Sequence, residues 1–359
     1  MKKVRYAVIG AGWISQEAFL PAVAQTGNAE VVALVSGSPE KARRLADFHR
    51  IPQVCPYEQF DALAASGALD AVYIATPNSS HAAWAERAAK HGLHLLVEKP
   101  LATTEAESIA MVDAAARAGV FLATAYRLHN DPGTLQAMAL LRDGAIGDPR
   151  VFSSNFCFQI AAGNHRLDAG HWGGPLQDLG VYCVNAARHA FGGEPLSAQA
   201  VAEGDPADAR FASVAAGLSA TLRFERGRVA SFYVGFGSEA IDEYTVLGTK
   251  GRLTLRGGYL FSAGRSLELT RDGRTERIEL PHTENFSGMV AYFSDCILAR
   301  TPPAVGPGEG LADMRALLAI EAAAASGGTV AVVPTPGFAP LQAAMRRSFP
   351  PVTHRLVLN

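Results

Sequence analysis

The sequence predicts an α/β chain in two parts: a doubly wound parallel sheet at the N-terminus, then an α+β domain built on a large, mostly antiparallel open sheet. Three observations carry this expectation. Over the first third, short apolar runs alternate with helical patterns, as parallel strands covered on both faces by crossover helices require. A Gly-x-Gly turn sits directly between the first strand and the first helix. From Leu196 onward, strand-like segments follow one another in series, joined by turns containing glycine, which is how an antiparallel sheet is written.

The elements follow in order. "VRYAVIG" is a strand and "ISQEAFLPAVAQ" a helix; "EVVALVS" is the next strand, then the helix "PEKARRLADFHR". "AVYIATP", the helix "HAAWAERAAKHG" ending at Gly92, "HLLVEKP", a helix from Thr104 to Ala118 closed by Gly119, and "VFLATAY" complete the alternation. This is a Rossmann-type pattern over residues 1–125. Residues 126–335 form the second domain. In it a helical stretch from Leu135 to Leu141 precedes the strand "PRVFSSNFCFQI", and a glycine-rich loop leads to a helix from Gln177 to Ala190. Strands then arrive as "LSAQAVA", "GLSATLRFE", "RVASFYVGF", "EYTVLGT", "GRLTLRG" and "LELTRDGRTERIEL". Helices from Phe286 to Ala299 and across "EGLADMRALLAIEAAAAS" cover one face, and residues 336–359 read as a surface tail.

Composition narrows the function. The chain is 48% hydrophobic and 18% charged with a formal net charge of −2, an ordinary globular balance with no basic face for nucleic acid. Cys55, Cys157, Cys183 and Cys296 are scattered without metal-finger spacing and read as reduced, buried thiols. The apolar stretch in "MKKVRYAVIG" meets glycine too early for a signal peptide, and no apolar run is long enough to span a membrane. The expectation is a cytoplasmic protein with no membrane or nucleic-acid partner.

"GAGWIS" carries the first site. Gly10 permits a tight turn, and Gly12 lets backbone amides, with Trp13 and Ile14 beside them, approach a pyrophosphate at the helix N-terminus. Ser15 replaces the third glycine of the dinucleotide fingerprint and is small enough for close packing. At the end of the second strand, "LVSGSPEKARR" puts Ser36 where an NAD site usually has a carboxylate. Without that charge, Ser36, Gly37, Ser38, Lys41 and Arg43 suit a 2′-phosphate, and NADP is expected with NAD as the alternative; Arg44 reads as solvated helix face. Thr76, Pro77 and Asn78 end the next strand at the cofactor crevice, whereas His81 reads as helix capping or surface and is left out. "HLLVEKP" then stops a buried strand on Glu98, Lys99 and Pro100.

With these residues in place, the chain resembles the glucose-fructose oxidoreductase/inositol dehydrogenase family, closest to the glucose-fructose oxidoreductase branch. "LVSGSPEKA", "AVYIATPNSSHAAWA", "VEKPLA", "AYRLHNDP" and "GGPLQDLGVYCVN" carry the resemblance in order along the chain. It implies a nicotinamide-dependent oxidoreductase of sugars or cyclic polyols, and a homodimer or homotetramer formed through the second domain's sheet. Lys99, at the carboxyl edge of a parallel sheet, is aimed at the crevice where nicotinamide and substrate meet. Glu98 either positions Lys99 or contacts the nicotinamide ribose; an ordinary Glu98–Lys99 ion pair is the plainer reading. Asp178 and Tyr182 are four apart and share a helix face, which Asn185 continues. In the family pattern the aspartate holds substrate hydroxyls and the residue four later moves the proton; here that residue is Tyr182. A neighbouring Lys99 ammonium would stabilise its phenolate, although Lys99 as the direct proton carrier stays open.

Arg127 is assigned to cofactor and substrate, with a domain-junction salt bridge equally compatible. Arg166 and Trp172 are assigned to the sugar, the indole stacking on its apolar face. His165, Asp168 and His171 suit no familiar zinc spacing, and no metal is expected. Alternatives to a sugar dehydrogenase are a trans-dihydrodiol dehydrogenase, a sugar transhydrogenase with tightly bound cofactor, and a non-catalytic NADP-binding regulator.

Overall fold

The computed structural model describes residues 2–358. Contacts divide the chain into two compact units. The first comprises residues 1–132, 283–310 and 344–359; the second comprises residues 133–282 and 311–343. This differs from the contiguous division expected at residues 125 and 335. The helix Asn285–Ala299 joins the first unit because its polar side chains are bonded there. The Tyr6 and Ser294 hydroxyls lie 2.9 Å apart, Asn28 donates to Asp295, and the Ser287 hydroxyl donates to the Ala22 carbonyl.

The first unit is built on six parallel strands: β1 (Val4–Ile9), β2 (Ala29–Val35), β3 (Gln53–Cys55), β4 (Ala71–Ile74), β5 (His94–Val97) and β6 (Leu122–Thr124), in spatial order β3-β2-β1-β4-β5-β6. The order reverses at β1, which places a crevice beyond the carboxyl ends of β1 and β4. Strand cores such as Val8, Ile9, Val72, Ile74 and Leu95 are fully buried, as a sheet covered on both faces demands. The helix Glu105–Ala118 begins on a capping box, with Thr104 and Glu107 bonding each other's backbone amides, and ends on Gly119 in the left-handed region.

The first helix is not a regular α-helix. Ser15–Phe19 form a π turn before the short α-helix Leu20–Val23. Pro21 lacks an N–H and its ring crowds the preceding turn, which favours the wider winding.

The second unit is a nine-stranded sheet in the order β14-β13-β12-β11-β7-β10-β9-β8-β15. Its strands are β7 (Pro149–Cys157), β8 (Pro195–Glu203), β9 (Gly217–Phe224), β10 (Val229–Gly235), β11 (Ile241–Gly248), β12 (Gly251–Arg256), β13 (Arg265–Arg271), β14 (Arg274–Leu280) and β15 (Val330–Ala331). Neighbours are antiparallel except β10 and β7, which run parallel. Phe152, Phe156, Phe232, Tyr244 and Leu253 are buried on the inner face, where the helix Val181–Phe191 packs on β7. Arg226–Gly227 and Asp272–Gly273 have positive φ at both residues, the geometry that two-residue hairpin turns need.

All four cysteines are free and buried. Among the described residues no helix is long and apolar enough to cross a membrane.

Candidate functional site

The first unit gathers its candidate residues on loops leaving the carboxyl ends of β1, β2, β4 and β5. Gly10 has φ of 99°, and a Cβ there would lie 2.6 Å from the Ala75 carbonyl oxygen; only glycine lets the turn pass so close. The Ser15 hydroxyl donates to the Gly10 carbonyl at 2.7 Å, so the serine that replaces the third glycine also fixes the turn. Gly12 and Trp13 are exposed, Trp13 at 45%, while Ile14 is half-buried. A dinucleotide pyrophosphate fits this cradle, since Gly12 carries no side chain and is exposed where the helix begins.

After β2, Ser36 is buried and its Oγ accepts from the Ser38 amide at 3.1 Å. Gly37 and Ser38 are exposed and Lys41 half-buried beside them. No carboxylate stands at the strand end to hold a 2′-hydroxyl or repel a 2′-phosphate.

Past β4, Thr76 and Asn78 are half-buried and Pro77 exposed. Here the structure corrects the sequence reading of His81, which is fully buried. Its ring nitrogens face two carbonyl oxygens, Pro100 at 3.0 Å and Thr76 at 2.9 Å. Burial pulls its pKa down, while those carbonyls and that of Leu101 oppose the shift. The ring thereby ties the loop after β4 to the segment after β5. The signal available was a histidine four residues after Pro77, at the first turn of the helix His81–Lys90.

Past β5, Glu98 is buried, Lys99 half-buried, and Lys99–Pro100 is a cis peptide. Tyr73, fully buried on β4, donates its hydroxyl to Glu98 Oε1 at 2.6 Å, and the Lys99 amide approaches Oε2 at 3.3 Å. Burial raises the Glu98 pKa; the Lys99 charge and the Tyr73 hydrogen bond oppose it. Arg127 is only 3% exposed, and its guanidinium donates to Asn285 Oδ1 at 3.2 Å and lies 5.9 Å from the Phe286 ring.

The second unit carries the remaining candidates. Arg166 and Asp178 form an ion pair at 3.0 Å, so two residues assigned to substrate on separate grounds are brought together. Asp178 lies in a second π turn, Leu176–Gly180, that leads into the helix Val181–Phe191. The face shared by Asp178 and Tyr182 is therefore a π-to-α junction and not a regular α-helix, a winding often found at functional sites. Tyr182 is 9% exposed and packs edge-on to Phe156, with Tyr259 at 6.1 Å. The Asn185 amide donates to Asp313, which also binds Arg188, and so serves the interior.

Trp172 sits at φ of 52°, a region that bulky residues rarely enter. Its indole N–H donates to Glu321 Oε1 at 3.1 Å, and Gln177 donates to the same oxygen at 2.9 Å. Burial raises the Glu321 pKa against these two donors. A Cβ on Gly173 would lie 2.4 Å from the Arg166 carbonyl oxygen, so glycine is needed where the loop folds back on itself. Asp168 caps the Gly170 amide. Nothing local in the sequence marks Glu321, which lies 149 positions from its partner Trp172.

Residues 4–126 match the model of an oxidoreductase family with an NAD-binding Rossmann fold, and residues 134–254 match the GFO/IDH/MocA C-terminal domain. The chain belongs to the GFO/IDH/MocA oxidoreductase family. Among relatives of this GFO/IDH/MocA protein, the D-xylose 1-dehydrogenase [NADP(+)] of Haloarcula marismortui is 30% identical, with 91% of this chain and 92% of the relative covered. A dTDP-3,4-didehydro-2,6-dideoxy-alpha-D-glucose 3-reductase of Streptomyces violaceoruber is 35% identical over 83% of this chain and 86% of its own. The aldose-aldose oxidoreductase of Caulobacter crescentus, solved with glycerol, superposes with a TM-score of 0.87 at 34% identity, covering 92% of this chain and 100% of that one. The GFO/IDH/MocA chain is thus an oxidoreductase, and its Gly10 cradle belongs to an NAD-binding Rossmann domain.

Proposed function

We propose that this oxidoreductase is an NADP-dependent dehydrogenase of aldoses or related cyclic polyols. NADP, when bound, supplies the ring that accepts a hydride from a sugar ring carbon. Tyr182 takes the hydroxyl proton as the carbon is oxidised to a carbonyl, and the Lys99 ammonium stabilises the phenolate and polarises the oxygen. Asp178, oriented by Arg166, accepts from neighbouring sugar hydroxyls, and Trp172 offers its indole to the apolar face of the ring. Arg127, from within its buried setting, supports the cofactor side.

The observation that carries this reading is the pairing of the Gly10 cradle with Lys99 on the same carboxyl edge of one parallel sheet, in a chain whose relatives include NADP-dependent xylose dehydrogenases. Ser36, in place of a carboxylate, supports NADP over NAD. Incubation with NADP and an aldose panel tests it: absorbance of reduced cofactor rises with at least one aldose. Tight NADP binding with no turnover on any sugar or polyol would point instead to a regulator.

The similarity to an aldose-aldose oxidoreductase favours a second reading, transhydrogenation between two sugars on a resident cofactor. Nucleotide that survives purification, reduced by one aldose and reoxidised by another, would establish it. The outer face of the nine-stranded sheet carries small hydroxyls, with Thr221 near Ser231 and Thr245 near Thr254. It suits a second copy of this chain in a cytoplasmic homo-oligomer, checked by light scattering.

A further inference from the structure

Gln16 lies in the π turn that follows the glycine cradle and is 1% exposed. Its side-chain amide has two backbone partners: Nε2 donates to the Ala11 carbonyl at 2.8 Å, and Oε1 accepts from the Leu358 amide at 2.6 Å. One partner can only accept and the other only donate, so chemistry fixes which way the amide points. Ala11 is the middle residue of Gly10–Ala11–Gly12. In a trans peptide the carbonyl and the following N–H point to opposite sides. An Ala11 carbonyl held toward buried Gln16 therefore turns the Gly12 N–H away from it, on the side where Gly12 is exposed and a pyrophosphate is received.

The Leu358 amide comes from a tail fastened along the first unit. The Phe349 carbonyl accepts from the Glu284 amide and the Pro350 carbonyl from Gln25. The His354 ring stacks on Phe48 at 4.2 Å, and Arg355 pairs with Glu17, the neighbour of Gln16. Each tether shortens the search of the last residues for the helix after the cradle.

We propose that Gln16 is a positioning residue for the cofactor pyrophosphate, and that the tail holds it in that role through the Leu358 amide. The inference rests on the NADP reading of the site. The tail then sets cofactor affinity and residence without touching the sugar or the reacting atoms.

Two variants separate the contacts. Gln16→Glu keeps an acceptor for Leu358 but sets a carboxylate against the Ala11 carbonyl; Leu358→Pro removes the tail's N–H and also fixes φ at that residue. Calorimetric titration with NADP should show Kd raised about tenfold in Gln16→Glu and about threefold in Leu358→Pro, the scale of one lost hydrogen bond. At saturating NADP, kcat should stay within about twofold of wild type, since the chemistry is untouched. An unchanged Kd in folded Gln16→Glu, or a fall in kcat without a change in Kd, overturns the proposal. Should Gln16→Glu fail to fold, Leu358→Pro decides alone, and an unchanged Kd and off-rate overturn it. Wild-type protein that does not bind NADP sinks the cofactor reading itself; wild-type binding matched by both variants sinks only this inference.

Discussion

Replacing Tyr73 with Phe isolates the hydrogen bond that supports Glu98 beneath Lys99. Tyr73 is fully buried and its ring stacks on Phe19 at 3.6 Å with the planes 3° apart, so phenylalanine keeps the stacking and removes only the hydroxyl. That hydroxyl donates to a buried Glu98 carboxylate at 2.6 Å. A hydrogen bond to a charged group contributes about 1.5–3 kcal/mol, and one to a neutral group about 0.5–1.5 kcal/mol. Burial raises the Glu98 pKa above its unfolded value, so its contribution favours the folded state in acid and is lost as pH rises through the folded pKa. Removing Tyr73's donor raises that pKa further. The loss in Tyr73→Phe is therefore largest in alkaline buffer, where Glu98 is ionised, at about 1.5–3 kcal/mol, and falls toward the neutral-bond value in mildly acidic buffer. Urea unfolding of the first unit in both buffers reads the difference. Equal losses at the two pH values, or a larger loss in acid, would show that Tyr73 does not support an ionised Glu98.

Lys99→Ala and Tyr182→Phe should each lower kcat roughly 10²–10⁴-fold, the span of a lost proton-transfer group, with NADP affinity little changed; steady-state kinetics and titration check both. Ser36→Asp should move cofactor preference toward NAD by about tenfold or more through repulsion of the 2′-phosphate, read as the ratio of kcat/KM for the two cofactors. Arg188→Met takes the guanidinium from the Asp313 carboxylate, both being 1% exposed and joined at 2.7 Å; calorimetry should show a loss of about 3–5 kcal/mol in the second unit.

Much of this was legible in the sequence because punctuation residues have few structural uses. Gly10 after an apolar strand, Gly119 after a helix, and the Asp272–Gly273 and Arg226–Gly227 pairs each sit where the backbone requires them. Lys99 at the end of β5 was legible because the alternating pattern places every strand's carboxyl end on one edge. What escaped was set by distance or by irregular winding. β3 is three residues long, and with the helix Phe60–Ala65 it offers too short a pattern to read. Two π turns lie beside Pro21 and Pro175, and helical periodicity does not distinguish them from α-helix. The helix Asn285–Ala299 joins the first unit through partners more than 260 positions away. His81 reads from the sequence as helix capping or surface, because nothing local reveals the two carbonyls that face its ring.

Hydride transfer from a sugar carbon is the central claim, and isotopic labelling tests it most directly. With NADP and aldoses deuterated at successive ring carbons, one labelled position should deliver deuterium to the reduced nicotinamide, with a primary isotope effect on kcat that persists in the slowed Lys99→Ala enzyme. Label released to water from every position, or no reduced cofactor from any sugar or polyol, would contradict the account.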